Sequence, residues 1–115
     1  MISQKHRFHG QKAITRVYRQ GQAVRGSQMS LKYLRSNRVE QFRVAVVVSR
    51  KVHKSAVVRN RIRRRIYEAL REMAPQIIQP WDLVFVVYSD EMAETAYIKL
   101  QSDLQSMLEK AGIIS

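Results

Sequence analysis

Residues 49–71 read SRKVHKSAVVRNRIRRRIYEALR. Val58, Ile62, Ile66, Ala69, Leu70 and Met73 recur at steps of three and four, the period that lines side chains along one stripe of an α-helix. At about 100° per residue, Asn60, Arg64 and Arg71 fall roughly opposite that stripe, near Tyr67. Arg59 and Arg63 lie along one flank, Arg61 and Arg65 along the other. The spacing predicts a helix that begins at Lys54 or Ser55 and stops before Pro75, because the residue preceding a proline avoids the helical region.

The same helix holds five arginines within residues 59–65. A solvated helix face mixes its signs, with Glu and Lys or Arg paired four residues apart. Between Gln41 and Tyr67 there are nine Lys or Arg and no acid. Like charges at that density repel one another unless a polyanion neutralises them. Arginine, with its planar fork of donors, suits bidentate phosphate contacts and stacking on bases. The reading is a nucleic-acid binder.

The charge layout of the whole chain agrees. Of 115 residues, the first 67 carry 18 Lys or Arg against one acid, Glu40, a net of +17. The remaining residues carry three (Arg71, Lys99, Lys110) against eight acids, a net of −5, so the basic part alone makes the total +12. An apolar content of 45% is enough for one modest core, and the length predicts one nucleic-acid-binding domain over residues 1–115. No apolar run approaches the 18 or so residues of a membrane span, and residues 1–10 lack a signal-peptide pattern, so no membrane is expected. With no cysteine there is no disulfide, thiol nucleophile or Cys-based zinc site, and the cytoplasm is the expected location.

Outward from the arginine-rich helix, residues 1–10 (MISQKHRFHG) read as a basic, extended N-terminal arm. Residues 11–19 form a short helix, with Ala13, Ile14, Val17 and Tyr18 on its apolar face and Lys12, Arg16 and Arg19 on its polar one; Gly21 stops it. Tyr18 has two readings, a core aromatic or an exposed ring that stacks on a base. Residues 23–34 alternate as one strand bent at Gly26, and residues 35–38 turn the chain. Residues 42–48 (FRVAVVV) read as a central strand antiparallel to it, whose outward side contributes a binding floor. Residues 81–88 (WDLVFVVY) are a second buried strand with Trp81 sealing the core edge, and residues 92–108 a final amphipathic helix. Helix, strand, strand, helix, strand, helix makes an α+β domain, a small sheet packed by helices.

No catalytic constellation stands out. His6, His9 and His53 lie in basic stretches without a carboxylate partner, and there is no Gly-rich phosphate loop, H-x-x-x-H or D-x-D. No catalytic residue and no metal ligand is assigned on the chain. A free-standing nuclease is disfavoured for that reason, and a DNA reader by the absence of helix-turn-helix spacing. A ribosomal or ribosome-associated structural protein remains the competing class.

Ser49-Arg50-Lys51 followed by Arg59-Asn60-Arg61-Ile62-Arg63-Arg64 closely resembles the signature of the bacterial ribonuclease P protein component. That signature is a strand ending in a small residue and two basic ones, then a helix bearing R-N-R-[IV]-[KR]-R. Arg7-Phe8, the short helix ending at Gly21, the VVV strand, the strand near Asp82 and the C-terminal helix extend the resemblance over nearly the whole chain.

The resemblance implies an α/β sandwich like a ribosomal-protein domain, with a mostly antiparallel sheet and a left-handed βαβ crossover, an exception to the usual hand. It implies the non-catalytic protein subunit of an endoribonuclease that removes the 5′ leader of precursor tRNA, catalysis and most bound Mg2+ belonging to the RNA. The expected partners are the catalytic RNA and precursor tRNA, with no obligate protein partner. Arg50, Lys51, Arg59, Asn60, Arg61, Arg63, Arg64 and Arg65 become expected contacts to the RNA, and Ile62 their buried anchor. Tyr18, Lys12, Arg16, Lys32 and Arg43 become a leader cleft, which turns Tyr18 from core to surface. The chain departs from the family pattern at Ile14, usually Phe, and at Lys32, where several members place an aromatic.

Overall fold

The computed structural model describes residues 11–36 and 41–115; the N-terminal arm, His6 and His9, Arg7-Phe8, and the Asn37 and Arg38 part of the expected turn lie outside the described residues. The elements in order are α1 (Gln11–Gln20), β1 (Gln22–Arg25), β2 (Met29–Arg35), β3 (Arg43–Val48), α2 (Ala56–Met73), β4 (Trp81–Val87) and α3 (Tyr97–Lys110). Short 3₁₀ turns at Ala74–Gln76 and Asp90–Ala93 follow α2 and β4. The strands form one sheet in the order β1-β2-β4-β3; β1–β2 and β2–β4 are antiparallel, and β3–β4 is parallel.

The expected helix over the arginine-rich stretch forms as read. Ser55 caps it, its Oγ accepting from the Val58 amide, and Ile62, Ile66, Ala69, Leu70 and Met73 are buried. Tyr67 is buried too, contrary to the expectation that it sits near the solvent side. Tyr67 belongs to the main core cluster, so the buried stripe of α2 is wider than its own periodicity shows.

Three further expectations change. The strand expected over residues 23–34 is a hairpin: the chain reverses through Gly26, Ser27 and Gln28, the Gly26 amide donates to Met29 O at 2.8 Å, and β1 folds back on β2. Gly-Ser at the bend favours a turn, a preference that outweighs the alternation continuing across it. The strand at residues 42–48 is neither central nor paired to its predecessor. β4 inserts between them, leaving β3 at the edge and parallel to β4. Its continuous apolar run reflects burial on both faces, with Val44, Val46 and Val48 in the main core and Ala45 under α1. The helix expected from residue 92 starts at Tyr97, after the 3₁₀ turn.

The two sheet faces follow from register. Leu31, Phe85 and Val46 share a rung that points to α2 and α3, where the main core of Ile62, Ile66, Leu70, Leu100, Leu104 and Leu108 lies. Lys32, Val84 and Ala45 share a rung on the other face, which α1 covers through Val17, helped by Ala13 and Ile14. α1 thus packs on a thin apolar contact, with three fully buried residues, while α2 and α3 sit on the large one. Gly21 ends α1 tight against β2: a Cβ there would lie 2.5 Å from Val17 O and 2.6 Å from Tyr33 O.

Candidate nucleic-acid interface

The loop after β3 and the start of α2 place Arg50, Lys51, Lys54, Asn60 and Arg64 on the exposed surface. Arg64 makes no hydrogen bond or ion pair to a described residue, so its whole fork of donors faces outward. The other arginines of the run are tethered. Arg59 donates through one nitrogen to His53 O and Lys54 O, both at 2.9 Å, closing the turn that leads into the helix. Arg63 donates to the Asn60 side-chain oxygen one turn earlier. Arg61 donates from Nε to Ala93 O at 2.9 Å, with Glu94 3.8 Å from its terminal nitrogen. Arg65 donates to Met92 O at 2.6 Å and to Thr95 O.

These tethers use part of each guanidinium, and a guanidinium carries five donors. The helix therefore displays a graded set: Arg64 fully available, Arg59 and Arg63 held in place with donors to spare, Arg61 and Arg65 turned toward the 3₁₀ segment. Tethering to neutral carbonyls leaves the positive charge in place, so the field of this face survives while its side chains lose freedom to wander.

The five residues expected to line a leader cleft separate into two groups on opposite flanks of α1. On one flank the Lys32 ammonium of β2 sits 5.4 Å from the centre of the Tyr18 ring. Tyr18 is 42% exposed, and its partial burial pushes the phenol above its ordinary value. On the other flank Arg16 of α1 and Arg43 of β3 both turn to Asp82 of β4. Arg43 holds it two-point, Nε to Oδ1 at 2.9 Å and a terminal nitrogen to Oδ2 at 3.0 Å; Arg16 adds one contact to Oδ2 at 3.2 Å. Asp82 is buried, while the two arginine side chains are about a quarter exposed. Lys12 lies on the outer side of α1, in an open groove with Thr15, Arg16, Arg19 and Gln20.

Asp82 is the residue that sequence reasoning missed. The signal was present: one acid inside the apolar strand WDLVFVVY. A carboxylate buried on a strand demands a cationic partner. Trp81 is half-buried at the same strand end, edge-on to Tyr33 and with Arg35 5.5 Å from its ring centre. Among the described residues no three His, Asp or Glu side chains converge as metal ligands, and Asp82 is already shared by two guanidiniums.

A mixed sheet with a lightly docked helix on one face, and a basic helix whose charge no acid offsets between residues 41 and 67, defines a small α+β domain suited to holding a polyanion. Sequence comparison narrows this class. The ribonuclease P family model matches residues 2–112, and the chain belongs to that family. It is 31% identical over 114 residues to the ribonuclease P protein component of Pseudanabaena, covering 99% of this chain and 97% of that protein. It is 44% identical over 78 residues to the one from Roseiflexus castenholzii, covering 68% of this chain but only 63% of that protein. Its fold is similar to the ribonuclease P proteins of Staphylococcus aureus (TM-score 0.83, 23% identity, 96% of this chain and 98% of that one) and Thermotoga maritima (0.78, 19%, 90% and 96%). Among the described residues no helix is long and apolar enough to cross a membrane.

Proposed function

We propose that this chain is the protein subunit of a bacterial ribonuclease P ribonucleoprotein. It binds the catalytic RNA through the exposed sector of α2 and supports removal of the 5′ leader from precursor tRNA in the cytoplasm. The observation that carries this reading is the graded presentation of α2 and the loop that leads into it. Arg64, Asn60, Arg50 and Lys51 face outward, and Arg59 and Arg63 are held beside them, with no acid in the same stretch of chain. Such a surface grips phosphates with little demand on sequence. Tyr18 beside Lys32 offers an aromatic face and a cation together, the pairing that suits a single strand passing over α1 and β2.

In this reading the hydrolysis and its magnesium ions belong to the RNA. The protein contributes affinity for the leader and charge neutralisation where RNA strands approach one another. The test is precursor-tRNA cleavage at low magnesium by a bacterial ribonuclease P RNA, with and without this chain. Stimulation, with the mature 5′ end formed only when the RNA is present, is expected. Tight, salt-sensitive RNA binding without stimulation would favour a ribosomal-type structural role. Cleavage by the protein alone would overturn the assignment of catalysis.

A further inference from the structure

Two arginines share one buried carboxylate, and they share it unequally. Arg43 sits directly across from Asp82 in the β3–β4 register and grips both oxygens at 2.9 and 3.0 Å. Arg16 arrives from a different layer, touches Oδ2 alone at 3.2 Å, and also lines the open groove of α1 with Lys12 and Arg19. One carboxylate neutralises one guanidinium, so the trio keeps a net charge of +1. Arg43 alone can keep Asp82 compensated, because a two-point fork is the stronger form of this contact. Breaking Arg16's contact therefore need not strand a buried charge, the event that makes loss of such pairs costly.

We propose that Asp82 is a positioning residue that parks Arg16 in the free protein and releases it to an RNA phosphate, while Arg43 stays behind as the permanent counter-ion. This rests on the reading of the chain as an RNA-binding subunit and divides labour between two arginines that the sequence presents as equivalent. α1 packs on the sheet through Val17, Ala13 and Ile14, and the Arg16–Asp82 bond adds a polar tether from α1 to β4. A phosphate that takes Arg16 would both gain a charged donor and free α1 to adjust over the strand it covers. Asp82 thus competes with RNA for Arg16, and its charge opposes binding while it supports the fold.

The consequence is a reversal of sign that a purely structural carboxylate would not produce. The probe is a fluorescein-labelled oligouridylate, its binding to the full chain read by anisotropy at low temperature, with melting followed in parallel. Asp82→Asn is expected to lower the melting temperature yet raise affinity for the oligomer about three- to fivefold, of the order of the gain when an arginine already at the interface becomes available. In the Arg16→Gln background the same change is expected to raise affinity no more than neutralising the exposed Glu109 by Glu109→Gln. Lower affinity in Asp82→Asn, or a gain that persists without Arg16, overturns the proposal.

If Asp82→Asn does not fold, the Nε–H resonances of the unmodified chain decide. On adding the oligomer the Arg16 signal is expected to shift and that of Arg43 to stay. Movement of Arg43, or of neither, overturns the proposal. Stimulation of precursor-tRNA cleavage by the unmodified chain is scored separately. A chain that shows the Arg16-dependent gain without stimulating cleavage keeps this inference and loses the ribonuclease P reading, and the reverse result loses this inference alone.

Discussion

Arg65 on α2 donates to the carbonyl oxygen of Met92 at 2.6 Å, across 27 residues of chain. Its second bond reaches Thr95 O, and Arg61, four residues earlier on the same flank, takes Ala93 O. Two members of the arginine run thus fasten the segment between β4 and α3 onto α2. Those carbonyls belong to a stretch that is not a full helix, so without the guanidiniums several would depend on solvent for a partner.

Arg65→Ala is therefore expected to cost stability, about 2 kcal/mol for charged hydrogen bonds to partly buried carbonyls. Urea unfolding measures it, and amide exchange should speed up selectively over residues 90–96. A loss of RNA affinity without any change in stability or exchange would show that Arg65 is chiefly an RNA contact.

Arg64→Ala should behave in the opposite way. Its side chain touches no described partner, so stability should change by no more than about 0.5 kcal/mol. Binding to the ribonuclease P RNA should weaken, and the slope of log affinity against log salt should shrink by about 1, the signature of one lost phosphate contact. An unchanged slope would place the RNA elsewhere on the helix.

Tyr18→Ala should separate substrate binding from assembly. An exposed ring that stacks on a base contributes about 1–3 kcal/mol. The loss should appear with leader-bearing precursor tRNA and be absent with mature tRNA, and Tyr18→Phe should restore most of it. Equal losses with both RNAs would remove Tyr18 from the leader path.

Gly21→Ala tests the junction of α1 with β2. The added methyl would meet two backbone oxygens, at 2.5 and 2.6 Å, and neither can swing aside as a side chain would. A loss of about 1–3 kcal/mol is expected from that overpacking, read as a lower urea midpoint. A neutral result would mean that α1 shifts freely on the sheet.

Tyr97 gives a pH test. Burial first, then the nearby Glu72 and Glu68 carboxylates, hold its phenol above the ordinary value. A raised pKa in the folded state means that the associated stability is complete below about pH 10, the unfolded value. It is lost as pH climbs through the folded value, because the unfolded chain gives up its proton first. Tyr97→Phe should flatten the stability profile above pH 10 and leave it unchanged near neutrality.

Much of the fold was legible because local physics wrote it. Apolar residues at helical spacing placed α2 between Ser55 and Pro75, the β-branched runs placed β3 and β4, and the stretch without acids from residue 41 to 67 marked the charged face. The family signature added the expected roles of Arg59 to Arg64. None of this depends on which parts of the chain meet. What the tertiary structure alone decided is pairing. β4, which starts 46 residues after the first hairpin ends (Arg35 to Trp81), inserts between β2 and β3, an outcome that side-chain alternation cannot encode because it reports faces and not neighbours. The sorting of the arginines follows the same logic. Arg61 and Arg65 read alike with Arg64 along the sequence, and Arg16 alike with Arg43; they differ because carbonyls at 92–95 and the carboxylate of Asp82 come within reach after folding. A guanidinium's role is set by the nearest oxygen, and contacts across 27 to 66 residues are fixed by packing, not by sequence spacing.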